Sequence, residues 1–165
     1  MTDRLYYADP YLREFDATIE RIDSRDGRTV VTLDRTAFYP TSGGQPFDTG
    51  TLGPFRVVDV VDEDDGTVAH VVERTENPEP QNQNREPQNQ NREPENQNRE
   101  PENQNPERRT PNAEPGSSVH AAIDWPRRFD HMQQHTGQHV LSAAFDRMLG
   151  VRTMSFHMGT DLSTI

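Results

Sequence analysis

No cysteine occurs in the 165 residues. Disulfides and thiolate metal ligands are therefore excluded from this chain. Lysine is absent too: all 17 basic residues are Arg, set against 28 acids, for a net charge of −11. That balance excludes a general nucleic-acid coat, because phosphate binding needs clustered positive charge. It leaves room for a locally docked RNA end. An acidic, Lys-free surface suits a salt-rich cytoplasm, where charge repulsion is strongly screened, and equally a GC-rich genome that favours Arg codons. Long apolar runs are also missing. None approaches the roughly 20 residues of a membrane span. The start, MTDRLYYADPYLREF, has no basic segment leading into an apolar one, so no signal peptide is visible. No membrane partner and a cytoplasmic location are the resulting expectations.

Apolar residues are unevenly spread. Glu76 to Ser118 covers 43 residues and contains a single apolar side chain, Ala113. Within it EPQNQNR occurs at Glu79–Arg85 and Glu86–Arg92, EPENQNR at Glu93–Arg99 and EPENQNP at Glu100–Pro106. The period is seven, but no position is apolar, so this is no coiled coil. A Pro in every unit forbids a continuous helix. Nothing in the repeat offers burial to offset the entropy of ordering. Residues 76–118 are expected to be a disordered loop inserted in the domain, with a partner-binding tether as the functional alternative. Such a loop is tolerated because closure entropy grows only as a logarithm. About 120 residues remain, enough for one modest domain.

Before the insert the pattern is β. Phe15, Ala17 and Ile19 alternate with polar neighbours, Ser24-Arg25-Asp26-Gly27 signals a turn, and Thr29–Leu33 follows as a second strand. Phe55–Val61 and Thr67–Val72 flank the acidic turn Asp62–Gly66 as a second hairpin. Val119–Ile123 reads as a strand resuming after the insert. The period then changes. Asp124 or Trp125 before Pro126 starts a helix that runs to Leu149 and stops at Gly150. Phe129, Met132, Val140, Ala143, Ala144 and Leu149 supply its apolar faces. Arg152–Met158 alternates weakly, as a strand would. An α+β chain is predicted.

Two motifs carry chemistry. His131, His135 and His139 stand at spacing four on the helix, and i, i+4 side chains share a face. Two imidazoles so placed can ligate one Zn²⁺. The zincin pattern has Glu directly after its first His, whereas Met132 and Thr136 stand there, so a metalloprotease lacks its base. A third or fourth ligand has to come from elsewhere; His131, His157 and acidic side chains are the candidates. The second motif is Thr36–Pro46, TAFYPTSGGQP. Its glycines permit positive φ or close approach of a ligand. Thr41, Ser42 and Gln45 add groups able to hold a sugar hydroxyl, a carbonyl or a water. A plain Gly-rich turn between Leu33 and Phe55 is the bland alternative. Class I release factors also use Gly-Gly-Gln, but in a basic setting that this chain lacks.

In combination, the residues resemble one family. Phe38–Gly50, FYPTSGGQPFDTG, is similar to the glycine-rich loop of alanyl-tRNA editing domains. Ile123–Arg128 followed by His135-Thr136-Gly137-Gln138-His139 is similar to their strand, linker and HxxxH helix. Ser155–Gly159 with Ser163-Thr164-Ile165 resembles the segment that follows. The β-rich start, with no synthetase body, is similar to the freestanding editing proteins known as AlaX.

The resemblance implies a small barrel-like β subdomain at 1–75, the insert at 76–118, and at 119–165 the start of an α/β editing domain built on a long zinc-binding helix. It implies a zinc-dependent trans-editing hydrolase that deacylates Ser, and often Gly, wrongly joined to the alanine tRNA. The partner would be the acceptor end of that tRNA. Thr41 and Gln45 would be catalytic, and Ser42, Gly43 and Gly44 would bind substrate. His135 and His139 would hold Zn²⁺, with His131 behind them or on the surface. The family's further Cys-x-x-x-His pair would lie beyond Ile165, so the chain is expected to be truncated at its C-terminus and its zinc site incomplete. Arg127 and Arg128 are expected to meet phosphates near the tRNA end. The alternative reading is a catalytically inactive RNA-binding or regulatory fragment of the family; an unrelated zinc hydrolase lacks its base.

Overall fold

A computed structural model describes residues 1–75, 114–159 and 162–165. The heptapeptide repeat, expected to be disordered, lies outside the described residues. The elements in chain order are β1 (Asp3–Arg4), a 3-10 turn (Leu5–Tyr7), β2 (Glu14–Arg25), β3 (Arg28–Leu33), β4 (Arg35–Thr36), β5 (Gly50–Leu52), β6 (Phe55–Asp62), β7 (Val68–Arg74), β8 (Ser118–Ile123), α1 (Trp125–Leu149), β9 (His157–Met158) and β10 (Ser163–Thr164).

Six strands close an antiparallel barrel in the order β2-β3-β7-β6-β5-β8. Both expected hairpins are there. β2 turns into β3 through Asp26 and Gly27, at φ 51° and 76°. Two positive φ values in a two-residue loop match the strand twist. Asp65 caps the β6–β7 turn, accepting the Thr67 N–H at 2.9 Å and its hydroxyl proton at 2.6 Å. β5 was not expected: three residues of strand sit inside what reads as a Gly-rich loop. Closure comes from β8, which pairs with β2 on one edge and β5 on the other. The boundary drawn at 119 thus falls too early, because this strand belongs to the barrel. Glu114–Ser117, assigned to the insert from sequence, form a turn tied to β2. Gly116 N–H donates to the Ile19 carbonyl at 2.7 Å and Ile19 N–H to Ser117 at 3.0 Å.

Closure leaves no free barrel edge. The interior is filled by alternate residues of each strand, among them Phe15, Ile19, Leu33, Leu52, Val57, Val68 and Ala121, with Phe38 from the loop. His70 is fully buried there. Its Nδ1–H donates to the Val31 carbonyl at 3.0 Å, and its Nε2 accepts from Thr36 Oγ1 at 2.8 Å. Thr36 Oγ1 in turn accepts the Phe38 N–H at 3.1 Å, so this chain fixes the start of the Gly-rich loop.

α1 keeps the expected bounds. Pro126 occupies its first turn, and Gly150, at φ 66°, ends it with Gly150 N–H and Val151 N–H donating back to Asp146 and Phe145. Its apolar residues do not behave as predicted. The buried residues of α1 are Arg128 and His131, whereas Phe129, Val140, Leu141, Phe145, Met148 and Leu149 are exposed. The strand expected over Arg152–Met158 shrinks to β9, paired with β10. No helix among the described residues is long and apolar enough to cross a membrane.

Candidate active site

The Gly-rich loop folds back at a tight turn. Ser42 and Gln45 exchange N–H···O bonds of 3.1 and 2.9 Å, with Gly43 and Gly44 between them at φ 58° and 80°. Only Gly adopts two such angles in succession without strain. Gly44 is needed for space as well: a Cβ there would stand 2.3 Å from the Phe156 carbonyl oxygen. Met158 N–H donates to the Gly44 carbonyl at 2.9 Å, so the segment after α1 seals the outer side of the turn. Gly43 faces the helix, with His135 Cε1 3.9 Å from where its Cβ would be. Among the described residues, the N–H groups of Gly43 and Gly44 donate to nothing.

The turn meets the His stripe at one contact. Gln45 is buried, and its Oε1 accepts a hydrogen bond of 2.9 Å from His135 Nδ1–H. That fixes the tautomer and leaves the Nε2 lone pair of His135 free. His139 lies one turn on, its ring stacked at 4.9 Å and 26° from that of His135. Burial, and then the charge of His139, push the His135 imidazole below its ordinary pKa and favour the neutral, ligating form. This donor set fits zinc as two of its ligands: neutral imidazoles one turn apart, one oriented by an amide. It does not close a site alone, because no three His, Asp or Glu side chains stand together for a metal among the described residues. His157 is exposed and lies outside the pair. Of the two places expected for His131, behind the pair or on the surface, the surface is excluded. His131 is buried, its Nδ1 has no partner, and burial with the neighbouring Arg127 lowers its pKa.

Arg128 corrects the expectation from sequence. Its side chain is 3% exposed and pairs with Asp48, 1% exposed, through Nε at 2.8 Å from both carboxylate oxygens and through a second, shorter contact. It also donates to the Ala37 carbonyl at 2.6 Å and the Pro10 carbonyl at 3.2 Å. Asp48 further accepts the Tyr39 N–H at 2.6 Å. Arg128 is thus engaged in contacts inside the protein rather than standing at the surface. It joins the helix, both ends of the Gly-rich loop and the N-terminal segment, and its charge offsets that of the buried Asp48 carboxylate. Arg127 is half-buried, donates to the Phe47 carbonyl at 3.3 Å and lies 5.6 Å from the Phe47 ring.

A cavity of about 250 Å³ opens beside the Gln45–His135 contact, lined by Tyr6, Pro10, Tyr39, Met132 and Thr136 as well as that pair. Tyr6 and Tyr39 meet edge to face at 5.0 Å. Burial pushes the Tyr6 phenol up to about 12, so it stays protonated at neutral pH. Thr41 and Ser42 sit exposed at the turn, and the Thr41 N–H donates to the Val60 carbonyl at 3.4 Å. Sequence reasoning missed Tyr6 and Pro10, which carry no motif. Tyr39 and Asp48 lie inside the quoted loop motif and were available to it.

Similarity to known proteins agrees with this geometry. A family model described as class II tRNA synthetases (A) matches residues 10–86. An alanyl-tRNA editing protein, AlaX-M, of Methanosarcina mazei is 34% identical over the whole of this chain and 55% of its own length. AlaX-L of Pyrococcus horikoshii is 32% identical, again over the whole chain and 33% of its own length. Across its whole length the chain is similar to alanyl-tRNA editing proteins of the AlaX family. An alanine–tRNA ligase of Pyrococcus furiosus is 36% identical over 99% of the chain and 14% of the ligase. The chain spans about half the length of the AlaX-M relatives it matches.

Proposed function

We propose that the chain acts on alanine tRNA bearing the wrong amino acid, hydrolysing the ester of Ser, and of Gly, at the acceptor end. The observation that carries this reading is the Gln45–His135 hydrogen bond, which brings the two chemistry-bearing motifs to one point beside a cavity. An aminoacyl ester is already labile. Catalysis here consists of placing a water and steadying the tetrahedral oxyanion before the ribose oxygen leaves. The unengaged N–H groups of Gly43 and Gly44 are backbone donors for that oxyanion. Thr41 and Ser42 hydroxyls orient the water or the terminal ribose. Gln45 acts through His135, holding its ring, rather than on the ester itself. His135 and His139 are the donors this span offers to Zn²⁺, which when bound would supply a positive centre to hold the substrate amino group or polarise water. Acceptance of Ser over Ala follows from a polar site that hydrogen-bonds the seryl hydroxyl, leaving its groups unpaired when Ala binds.

The test is deacylation of Ser-tRNA and Ala-tRNA of the alanine type, with and without a chelator. Hydrolysis of the seryl ester alone, abolished by Thr41→Val, is expected. The absence of a third metal donor among the described residues favours a second reading, in which this span binds RNA without hydrolysing it. Tight RNA binding with no deacylation would establish that alternative.

A further inference from the structure

A second group of planar side chains lies at the start of α1. Trp125 and Phe129 are stacked at 5.6 Å and 27°, Tyr11 lies 5.9 Å from Trp125, and the Arg13 guanidinium sits 4.3 Å over the Trp125 ring. Tyr11 is 59% and Phe129 40% exposed, so the group adds little to the core. It is nevertheless held in place. Tyr11 N–H donates to Asp9 Oδ1 at 2.9 Å, the neighbouring Pro10 carbonyl accepts from buried Arg128, and Ile123 N–H donates to the Arg13 carbonyl at 2.7 Å. Neither Arg13 nor Arg127 forms an ion pair among the described residues. In a chain of net charge −11, Arg13 is thus an unpaired guanidinium lying over one of these rings.

The group also has a direction. Trp125, Phe129, Met132 and Thr136 follow the four-three-four spacing of one helix face. Met132 and Thr136 line the cavity beside His135, and Pro10, adjoining Tyr11, lines it too. The helix face that begins at Trp125 thus reaches the proposed hydrolytic cavity at Thr136, roughly 16 Å along.

We infer that Tyr11, Trp125 and Phe129, with Arg13, form a stacking platform for the unpaired 3′ end of the RNA, leading its terminal ester into the cavity. Aromatic faces and guanidinium planes bind single-stranded bases without needing a sequence, because every base has a π-face. A protein partner is the less apt occupant: Met132 and Thr136, on the same helix face as Trp125 and Phe129, line the cavity that would receive the ester. The inference rests on the deacylase reading for its ligand.

Trp125 is the sole tryptophan, so its fluorescence reports on the platform directly. The probe is an RNA hairpin of the alanine acceptor stem carrying its unpaired 3′ end, compared with the same hairpin made blunt. Saturable quenching by the first and none by the second is expected. Tyr11→Ala and Phe129→Ala are each expected to weaken binding about tenfold, and Arg13→Gln severalfold with a smaller salt dependence. Equal quenching by the blunt hairpin, unchanged affinity in both aromatic variants, or an emission change driven by protein concentration alone would overturn it. Deacylation that proceeds normally in Tyr11→Ala and Phe129→Ala, with unchanged binding, removes the platform and keeps the hydrolase. Overhang-specific quenching without deacylation keeps the platform and removes the hydrolase.

Discussion

The barrel and the helix are built by different physics. The barrel buries its inward-facing apolar residues to near zero exposure and pairs every strand edge. The helix has 25 residues, yet its two buried side chains are polar, and much of its apolar surface faces outward. One region is held by area removed from water, the other by a few directed hydrogen bonds to a buried carboxylate. The helix is thus attached at its first two turns, through Arg128, and the site lies just beyond that attachment. The two regions should respond to damage in different ways.

The largest losses are expected at the joint and in the barrel core. Arg128→Ala leaves Asp48 charged and buried without its partner, which costs about 3–5 kcal/mol. Leu52→Ala empties a fully buried site and costs about 2–5 kcal/mol. Both are read from urea unfolding. What separates them is the site: Arg128→Ala should also release the Gly-rich loop and abolish RNA-end binding, whereas Leu52→Ala should leave binding intact wherever the protein remains folded. Loss of binding in both variants at native temperature would erase the distinction.

Acid should damage the barrel through His70. His70 is held neutral inside it, its pKa lowered by burial from 6.5 to about 4. The unfolded chain takes up this proton near 6.5 and the folded chain only near 4. Stability from His70 is therefore complete above pH 6.5 and is lost as the pH falls toward 4. The loss is on the order of 3 kcal/mol. His70→Asn keeps a donor toward the Val31 carbonyl without the titration, so its stability should vary less across that window. Parallel pH profiles for the two proteins would place the acid response elsewhere.

The same contrast explains what could be read in advance. Both hairpins were legible because Asp26-Gly27 and Asp65-Gly66 are local turn signals between alternating strands. The helix was legible from Pro126 and Gly150. Barrel closure was not, since the pairing of β8 with β2 joins residues about a hundred positions apart with no local mark. Arg128 was misread for a related reason. An Arg beside another Arg at a helix start reads as solvated, and its burial is decided by Asp48, 80 positions earlier. His135 and Gln45 were both named from sequence, but their contact, and hence Gln45's hold on the imidazole, required the fold.

The two glycines of the turn offer a finer comparison, because one faces the helix and the other the tail. Both have positive φ, so alanine at either position costs about 1–2 kcal/mol of backbone strain. At Gly43 the added Cβ would make only an ordinary contact with His135 Cε1, at 3.9 Å. At Gly44 the added Cβ collides with a backbone carbonyl that cannot step aside without breaking the Met158–Gly44 hydrogen bond. Gly44→Ala should therefore cost about 1 kcal/mol more than Gly43→Ala, measured by thermal unfolding. Equal losses would mean that the Phe156–Met158 segment moves freely from the turn.

The smallest effect is expected where the helix has left the barrel behind. Leu141→Ala truncates the same side chain as Leu52→Ala, but at a position 45% exposed against 0%. Truncation there forms no cavity. Alanine's higher helix propensity offsets what little area is lost, so the change should stay within about 0.5 kcal/mol. The pair isolates burial from residue type within one chain. A loss at Leu141 comparable to that at Leu52 would show that the outer half of the helix is packed in solution, and that the division between a barrel held by its core and a helix held by its joint fails.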